Sequence, residues 1–476
     1  MFNETAKFRD NHFQPLRTSL SSYHSPQSYD PKDLYLDGNP SLDRPLTVQF
    51  CANDPEEFLN AAKYVAPFCD AVDLNLGCPQ GIARKGKYGA FLQEDQELIY
   101  KLINKLHNEL DVPVTAKIRI LETREKTLAY ARMVLDAGAS ILTVHGRQRE
   151  QKGHNTGLAD WAVIRYLREQ LGREVVIFAN GNILQRKDID KCIEETGADG
   201  VMSAEGNLYD PAIFAEAPPV GEEGREYWRG RDGLGGWRMD AVYRRYMDII
   251  YKYVLEVPVP ERKQLYLPSD PEEAIGEEHV EELEPPRKKQ KKEKREKATN
   301  PNLVAMQAHS FHLLRALVSK HHVVRDTLAR CRAGDIEAFE NVLQMVEAAV
   351  KSGLKEYEET KGRSWEEELL RDERLKEAQK DSLESNKDTA ESKERMEIDE
   401  RYESSLETVR NCKRPWWVVQ PYVRPLPKEA LAKGSMTLSK KEKAKMEKAL
   451  PNGHTEVEKS GNGKEVEVPK DGLVCG

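Results

Sequence analysis

The chain has 476 residues, room for two or three domains of ~150 residues each. At 39% hydrophobic, 32% charged and mean hydropathy −0.71 it is too polar to be globular throughout, and it has no apolar run of the ~18–20 residues that cross a bilayer. Lys and Arg number 73 against 81 Asp and Glu, a net charge of −8, so any nucleic-acid contact must come from clustered basic residues.

Residues 1–44 are polar and turn-rich, and the start Met1-Phe2-Asn3 has neither the basic nor the apolar region of a secretory signal. From Pro45 to Phe214 short apolar runs alternate with helical periodicity. The runs are 46–50, 71–76, 112–120, 141–145, 175–180 and 200–204, and the amphipathic stretches include 55–66, 94–109, 123–137 and 160–171. Such alternation predicts βαβ units and a parallel sheet.

A period of two isolates Thr47 and Gln49, Asp73 and Asn75, Thr115, Lys117 and Arg119, and Thr143 and His145 on one face of their strands. Apolar outer faces and a polar interior predict an α/β fold, a TIM-type (β/α) barrel with its site at the C-terminal mouth. A doubly wound sheet is the alternative, but it has no equivalent polar interior. Six strands can be counted where a closed barrel has about eight, so the expectation is a barrel lacking its first two strands.

Beyond the barrel (45–220) lies a segment, 221–300, with a helical aromatic stretch at Trp237–Val254 and then charged blocks. Residues 270–284 hold eight acidic side chains and Arg287–Lys297 eight basic ones, which reads as a disordered linker. Residues 301–360 are helical by period, 361–412 are charged and of low complexity, 413–427 carry the island Trp416-Trp417-Val418-Val419, and 428–476 read as a disordered tail.

Seven scattered cysteines without a CxxC pair exclude a zinc ribbon, a disulfide framework and an Fe–S cluster, and favour a reducing compartment and no metal. Cys78 follows Gly77 and precedes Pro79 at the end of a strand. That predicts a displayed thiol able to act as nucleophile or proton donor, the alternative being a small buried hydrophobe. Lys117, Arg119 and His145 around one cavity suit an anionic or electron-rich ligand, or else an internal ion-pair layer with Asp73. Asn180-Gly181-Asn182 and Ala204-Glu205-Gly206 end the last two strands, where such barrels hold phosphate. Two basic loops, 84–88 and 147–152, surround the same mouth. They suit a polyanion or are simply solvated.

The strings VQFCANDP, DAVDLNLGCPQGIARKGKYGAFLQ, VPVTAKIRI, LTVHGRQREQKG, FANGN and GVMSAEGNLYDPAIF resemble the tRNA-dihydrouridine synthases. GCPQ, YGAFL, MSAEGN and the late WWVVQPYVRP are similar to the eukaryotic branch acting on D-loop uridines 16 and 17. The resemblance implies an FMN-bound barrel and a helical tRNA-binding domain in a monomer, with NADPH or NADH as reductant. Hydride passes from the flavin to C6 of uracil, and Cys78 protonates C5. It also implies that Gln49, Lys117 and His145 contact FMN, that Asn180, Gly181, Asn182, Ala204, Glu205 and Gly206 hold its phosphate, and that Asn75 and Arg119 lie against the uracil. The family begins with two strands that have no counterpart here, so the chain reads as starting inside the barrel. The Arg287–Lys297 run reads as a nuclear localisation signal, an RNA contact or plain linker, giving a cytoplasmic or nuclear expectation. Two other functions fit less of the sequence: an FMN barrel reducing a small molecule, as dihydroorotate dehydrogenases do, and a flavin-free RNA-binding chain.

Overall fold

The computed structural model describes residues 43–153, 156–271, 300–371 and 414–422. The first 42 residues, the Arg287–Lys297 run, most of 361–412 and the 428–476 tail lie outside them.

Six parallel strands pair in chain order: β1 (Thr47–Phe50), β2 (Ala71–Leu76), β3 (Val114–Arg119), β4 (Ile141–His145), β5 (Val176–Asn180) and β6 (Gly200–Met202). Neighbours in sequence are neighbours in space because each crossover is helical and of one hand. This is the arc of a TIM-type barrel, open among the described residues at β1 and β6. The crossovers are α1 (Pro55–Val65), the short α2 (Gly81–Gly86), α3 (Gln96–Glu109), α4 (Arg124–Asp136), α5 (Trp161–Leu171) and α6 (Arg186–Thr196).

Side-chain caps set where the helices begin. Asp54 accepts from the Glu57 amide at 3.0 Å ahead of Pro55, and Asp95, Thr123 and Asp160 do the same for α3, α4 and α5. Each helix then lays an apolar face on the outer side of the sheet. Leu74, Leu76, Ile118 and Val144 meet Ile99, Leu102, Ile103 and Ile164 there without measurable exposure. Burying one such side chain is worth about 1.5–3 kcal/mol. The polar half of β1 to β4 is left facing inward.

A second core contains the hairpin β7 (Tyr227–Arg229) and β8 (Gly235–Trp237) and the helix α8 (Met239–Ile249) with its π-helical end Ile250–Val254. The helices α9 (Pro301–Leu313), α10 (Arg315–Lys320), α11 (His322–Arg330) and α12 (Ile336–Glu359) complete it. The boundaries expected at 300 and 413 fall within this core. Tyr243 of α8, Phe339 and Val346 of α12, and Trp417 and Val418 of the island belong to one apolar cluster. The cause is mutual: α8 and α12 each carry an apolar stripe, and the two stripes pack against each other together with α9, α11 and the island. The island is stitched in by backbone, the Met239 amide donating to Trp417 O at 2.8 Å and the Val419 amide to Trp237 O at 3.0 Å. Gly353 on α12 admits the Trp416 ring, since a Cβ there would sit 2.7 Å from Cζ2.

The two cores meet at α7 (Glu205–Tyr209). Tyr209 packs edge-on to His312 with ring centres 4.8 Å apart and against Tyr422 at 5.1 Å.

Candidate active site

The inward residues of β1 to β3 form a connected polar floor. Gln49 Nε2 donates to Asp73 Oδ2 at 2.7 Å and Thr115 Oγ1 donates to Asp73 Oδ1 at 2.6 Å. Burial pushes the Asp73 carboxyl above its ordinary value, while those two hydrogen bonds and the Lys117 charge pull it back. Lys117 is buried at 7% exposure, register-paired with Asn75 on one side and Thr143 on the other. Gln49, Lys117 and His145 therefore share one interior face.

The Cys78 turn is built by Asn75. Its Oδ1 accepts from the amides of Gly77 and Cys78, both at 2.9 Å, and its Nδ2 donates to Gln49 Oε1 at 2.8 Å. One amide N–H is left over for a ligand. The expectation of a displayed thiol does not hold, because Cys78 is only 2% exposed. The 3₁₀ segment Gly89–Glu94 folds over it, the Ala90 amide donating to Cys78 O at 3.1 Å. Gly89, at φ +65°, makes this approach possible: a Cβ there would stand 2.8 Å from Cys78 O and 2.9 Å from Cys78 Cβ.

Arg119 braces the same turn. Its Nε donates to Gly77 O at 2.6 Å and its Nη1 to Gln148 O at 3.0 Å, joining the Cys78 turn to the loop after β4. Burial brings its guanidinium down to about 10. Lys152 Nζ, from that loop, donates to Pro79 O at 2.8 Å.

His145 and Asn180 are register partners at the C-terminal ends of β4 and β5. Arg147, read from sequence only as part of a basic loop, turns back so that its Nη1 lies 2.9 Å from His145 Nε2. Burial first, then the charges of Arg119, Lys117 and Arg147, hold the imidazole well below its ordinary value. Asn180 Nδ2 donates to Met202 O at 2.8 Å. Two buried polar atoms, His145 Nδ1 and Asn180 Oδ1, find no hydrogen-bond partner.

The β5 turn is more occupied than its sequence suggests. Asn182, at φ +64°, accepts from Arg147 Nη2 at 2.7 Å and from the Ala159 amide at 3.1 Å, so its side chain ties two loops together. Gly181, at φ +108°, lets the turn pass over His145, for a Cβ would lie 3.0 Å from His145 Cδ2. Ala204 caps α7, Glu205 opens it, and Gly206 packs under the Ile183 carbonyl. A cleft of about 480 Å³ opens beside the Cys78 turn, lined by Arg84, Phe91, Glu94, Arg149, Glu150 and Lys152.

The described residues contain no group of three metal-ligating side chains, and none of their helices is long and apolar enough to cross a membrane.

Residues 20–253, which hold this whole constellation, match the family Dihydrouridine synthase (Dus). A tRNA-dihydrouridine(16/17) synthase [NAD(P)(+)] of Schizosaccharomyces pombe is 43% identical over 81% of this chain and 74% of its own length. The chain belongs to the dihydrouridine synthase family. The Saccharomyces cerevisiae protein of the same name is 46% identical over 66% of this chain, which spans 62% of its length. A tRNA-dihydrouridine(16/17) synthase [NAD(P)(+)]-like protein of Rattus norvegicus is 52% identical over 42% of this chain and 45% of its own length.

Proposed function

We propose that this chain reduces uridine to 5,6-dihydrouridine at positions 16 and 17 of the tRNA D-loop. The observation that carries the reading is the pair His145 Nδ1 and Asn180 Oδ1. A buried donor and a buried acceptor stand side by side without protein partners, beside a buried lysine, at the mouth of a barrel. Leaving such atoms unmatched costs about 1–3 kcal/mol each. They fit a flat heterocycle that presents C=O and N–H groups along one edge, as the flavin of FMN does. Gln49 and Lys117 lie on the same face, and the turns Asn180–Asn182 and Ala204–Gly206 lie where a barrel cofactor's phosphate is held.

Bound there, FMN supplies hydride chemistry between NADPH or NADH and C6 of the uracil. The chain's own residues do the rest. Cys78 gives its thiol proton to C5, so that hydride and proton together add across the C5=C6 bond. Asn75 and Arg119 hold the Cys78 turn at the height of the base. Neutral His145 and cationic Lys117 fix the edge of the cofactor. The 3₁₀ cover over Cys78 keeps water from the reacting atoms. The target base leaves its stack to reach this floor, and the helical core holds the rest of the tRNA.

The test is purification of the chain, its flavin spectrum, and dihydrouridine counted at positions 16 and 17 of unmodified tRNA. Yellow protein with NAD(P)H-dependent product supports the reading. Cys78→Ala is expected to keep the flavin and lose the product, and full activity in that variant refutes the acid assignment. Colourless protein that still binds tRNA removes the redox reading altogether.

A further inference from the structure

We propose that the cleft beside the Cys78 turn seats the nucleotide adjoining the target uridine, its base against Phe91 and its phosphate between Arg84 and Lys152. This deepens the tRNA reading above and rests on it.

The cleft, about 480 Å³, is large enough for one nucleotide. Its aromatic platform is already set. The Arg149 guanidinium lies 5.2 Å from the Phe91 ring centre, and Glu94 at 2.7 Å and Glu150 at 3.1 Å hold it there. A guanidinium fixed over an aromatic ring forms with it a flat platform on which a base of any identity stacks.

Two cations flank the platform. Arg84, near the end of α2, is exposed and has no carboxylate partner among the described residues. Lys152 spends one of its three N–H groups on Pro79 O and keeps the others for an anion. Arg149 is held by two glutamates, which leaves that trio one negative charge in excess, so the cleft's net positive charge is carried by Arg84 and Lys152 together.

Position decides the occupant. Both walls are hydrogen-bonded to the Cys78 turn itself, one through Lys152 to Pro79 O and the other through Ala90 to Cys78 O. A uridine held over Cys78 carries its neighbour by a covalent link, and this cleft is the space beside it. A dinucleotide reductant has no such tether to this side.

The test compares Phe91→Ala, Phe91→Tyr and the exposed Arg84→Ala in the full chain, with the Kd for unmodified tRNA and the rate of flavin reduction by NADPH without RNA. Phe91→Ala is expected to raise the Kd about ten-fold, with Phe91→Tyr restoring it. Arg84→Ala is expected to weaken binding several-fold and to flatten log Kd against log salt by about 0.7, one single-strand phosphate. Reduction by NADPH keeps its rate. Unchanged tRNA affinity in both Phe91→Ala and Arg84→Ala overturns the proposal. So does slowed reduction with intact tRNA binding, which makes the cleft a reductant site. Because the Kd needs no turnover, a wild-type chain that binds tRNA but forms no dihydrouridine refutes the function without touching the cleft.

Discussion

Arg147 Nη1 stands 2.9 Å from His145 Nε2, and this one contact fixes where the imidazole keeps its proton. A guanidinium only donates, so Nε2 accepts and the ring hydrogen resides on Nδ1, the atom left without a partner. Asn182 holds Arg147 in place through Nη2 at 2.7 Å, so the β5 turn sets the tautomer of a β4 side chain.

A pH dependence follows. His145 is neutral in the folded chain well below its ordinary value of 6.5, whereas the unfolded chain protonates it there. The unfolded state then binds the extra proton, so this contribution is complete above 6.5 and is lost as pH falls below it. The slope is about 1.4 kcal/mol per pH unit until the folded ring itself titrates. His145→Gln removes that slope. Urea midpoints of the two proteins at pH 7.5, 6.5 and 5.5 are expected to diverge in steepness, and parallel curves would show that His145 is not held neutral.

Arg119 has the geometry of a positioning residue. Lysine at this position keeps the charge but not the fork that spans Gly77 O and Gln148 O. Arg119→Lys is expected to lower kcat for dihydrouridine formation by about 10²-fold, the cost of a misplacement near 1 Å, with flavin content unchanged. A rise confined to the KM for tRNA would instead assign Arg119 to the uracil.

Much of this floor is legible in the sequence, because period-two patterning depends only on backbone geometry. Thr115, Lys117 and Arg119 had to share a face once β3 was a strand, and the six strands fall within two residues of their apolar runs. What patterning does not carry is the fate of a side chain within that face. The string does not show that Asn75 braces its own Gly77–Cys78 turn, nor that Arg119 and Asn182 tie neighbouring loops together. Burial of Cys78 was hidden for the same reason: its cover comes from Gly89 and Ala90, and nothing in the local string GCP records it. The pairing of α8 with α12 is not legible either, because the charged 270–297 run separates their apolar stripes along the chain although both belong to one cluster.

Gly89 offers a direct test of the cover. Alanine there must adopt φ +65° and place a Cβ 2.8 Å from Cys78 O, against backbone that has no easy way to yield. The left-handed backbone alone costs about 1–2 kcal/mol, and the crowding moves the Cys78 turn. Gly89→Ala is expected to keep flavin and lose most dihydrouridine formation. Gly81→Ala, in α2 with nothing within 4 Å of the new methyl, is the control and is expected to be neutral or stabilising by about 0.4–1 kcal/mol. Equal activity in the two variants would mean that the cover does not position the thiol.

The junction between the two cores yields the last prediction. Arg414 Nη1 reaches Asp210 Oδ2 at 3.6 Å, and the same segment bears Tyr422, which packs on Tyr209 and lies under the Arg315 guanidinium at 4.3 Å. The segment from Arg414 to Tyr422 thus holds the barrel through both its ends while Trp416 and Trp417 anchor it in the helical core. Asp210 is buried, which pushes its carboxyl above the ordinary range, and Arg414 pulls it back. Arg414→Met leaves that carboxylate buried without a counter-charge, its Ala212 amide hydrogen bond remaining, at a cost of about 1–3 kcal/mol near neutral pH. Protonating Asp210 removes the charge that needs compensation, so the difference from the parent chain is expected to shrink as pH falls into the carboxylate range. The double variant with Asp210→Asn is expected to recover most of the loss at pH 7. Urea midpoints at pH 7 and pH 4 check both statements. A deficit that is the same at both values would show that Arg414 acts by packing alone.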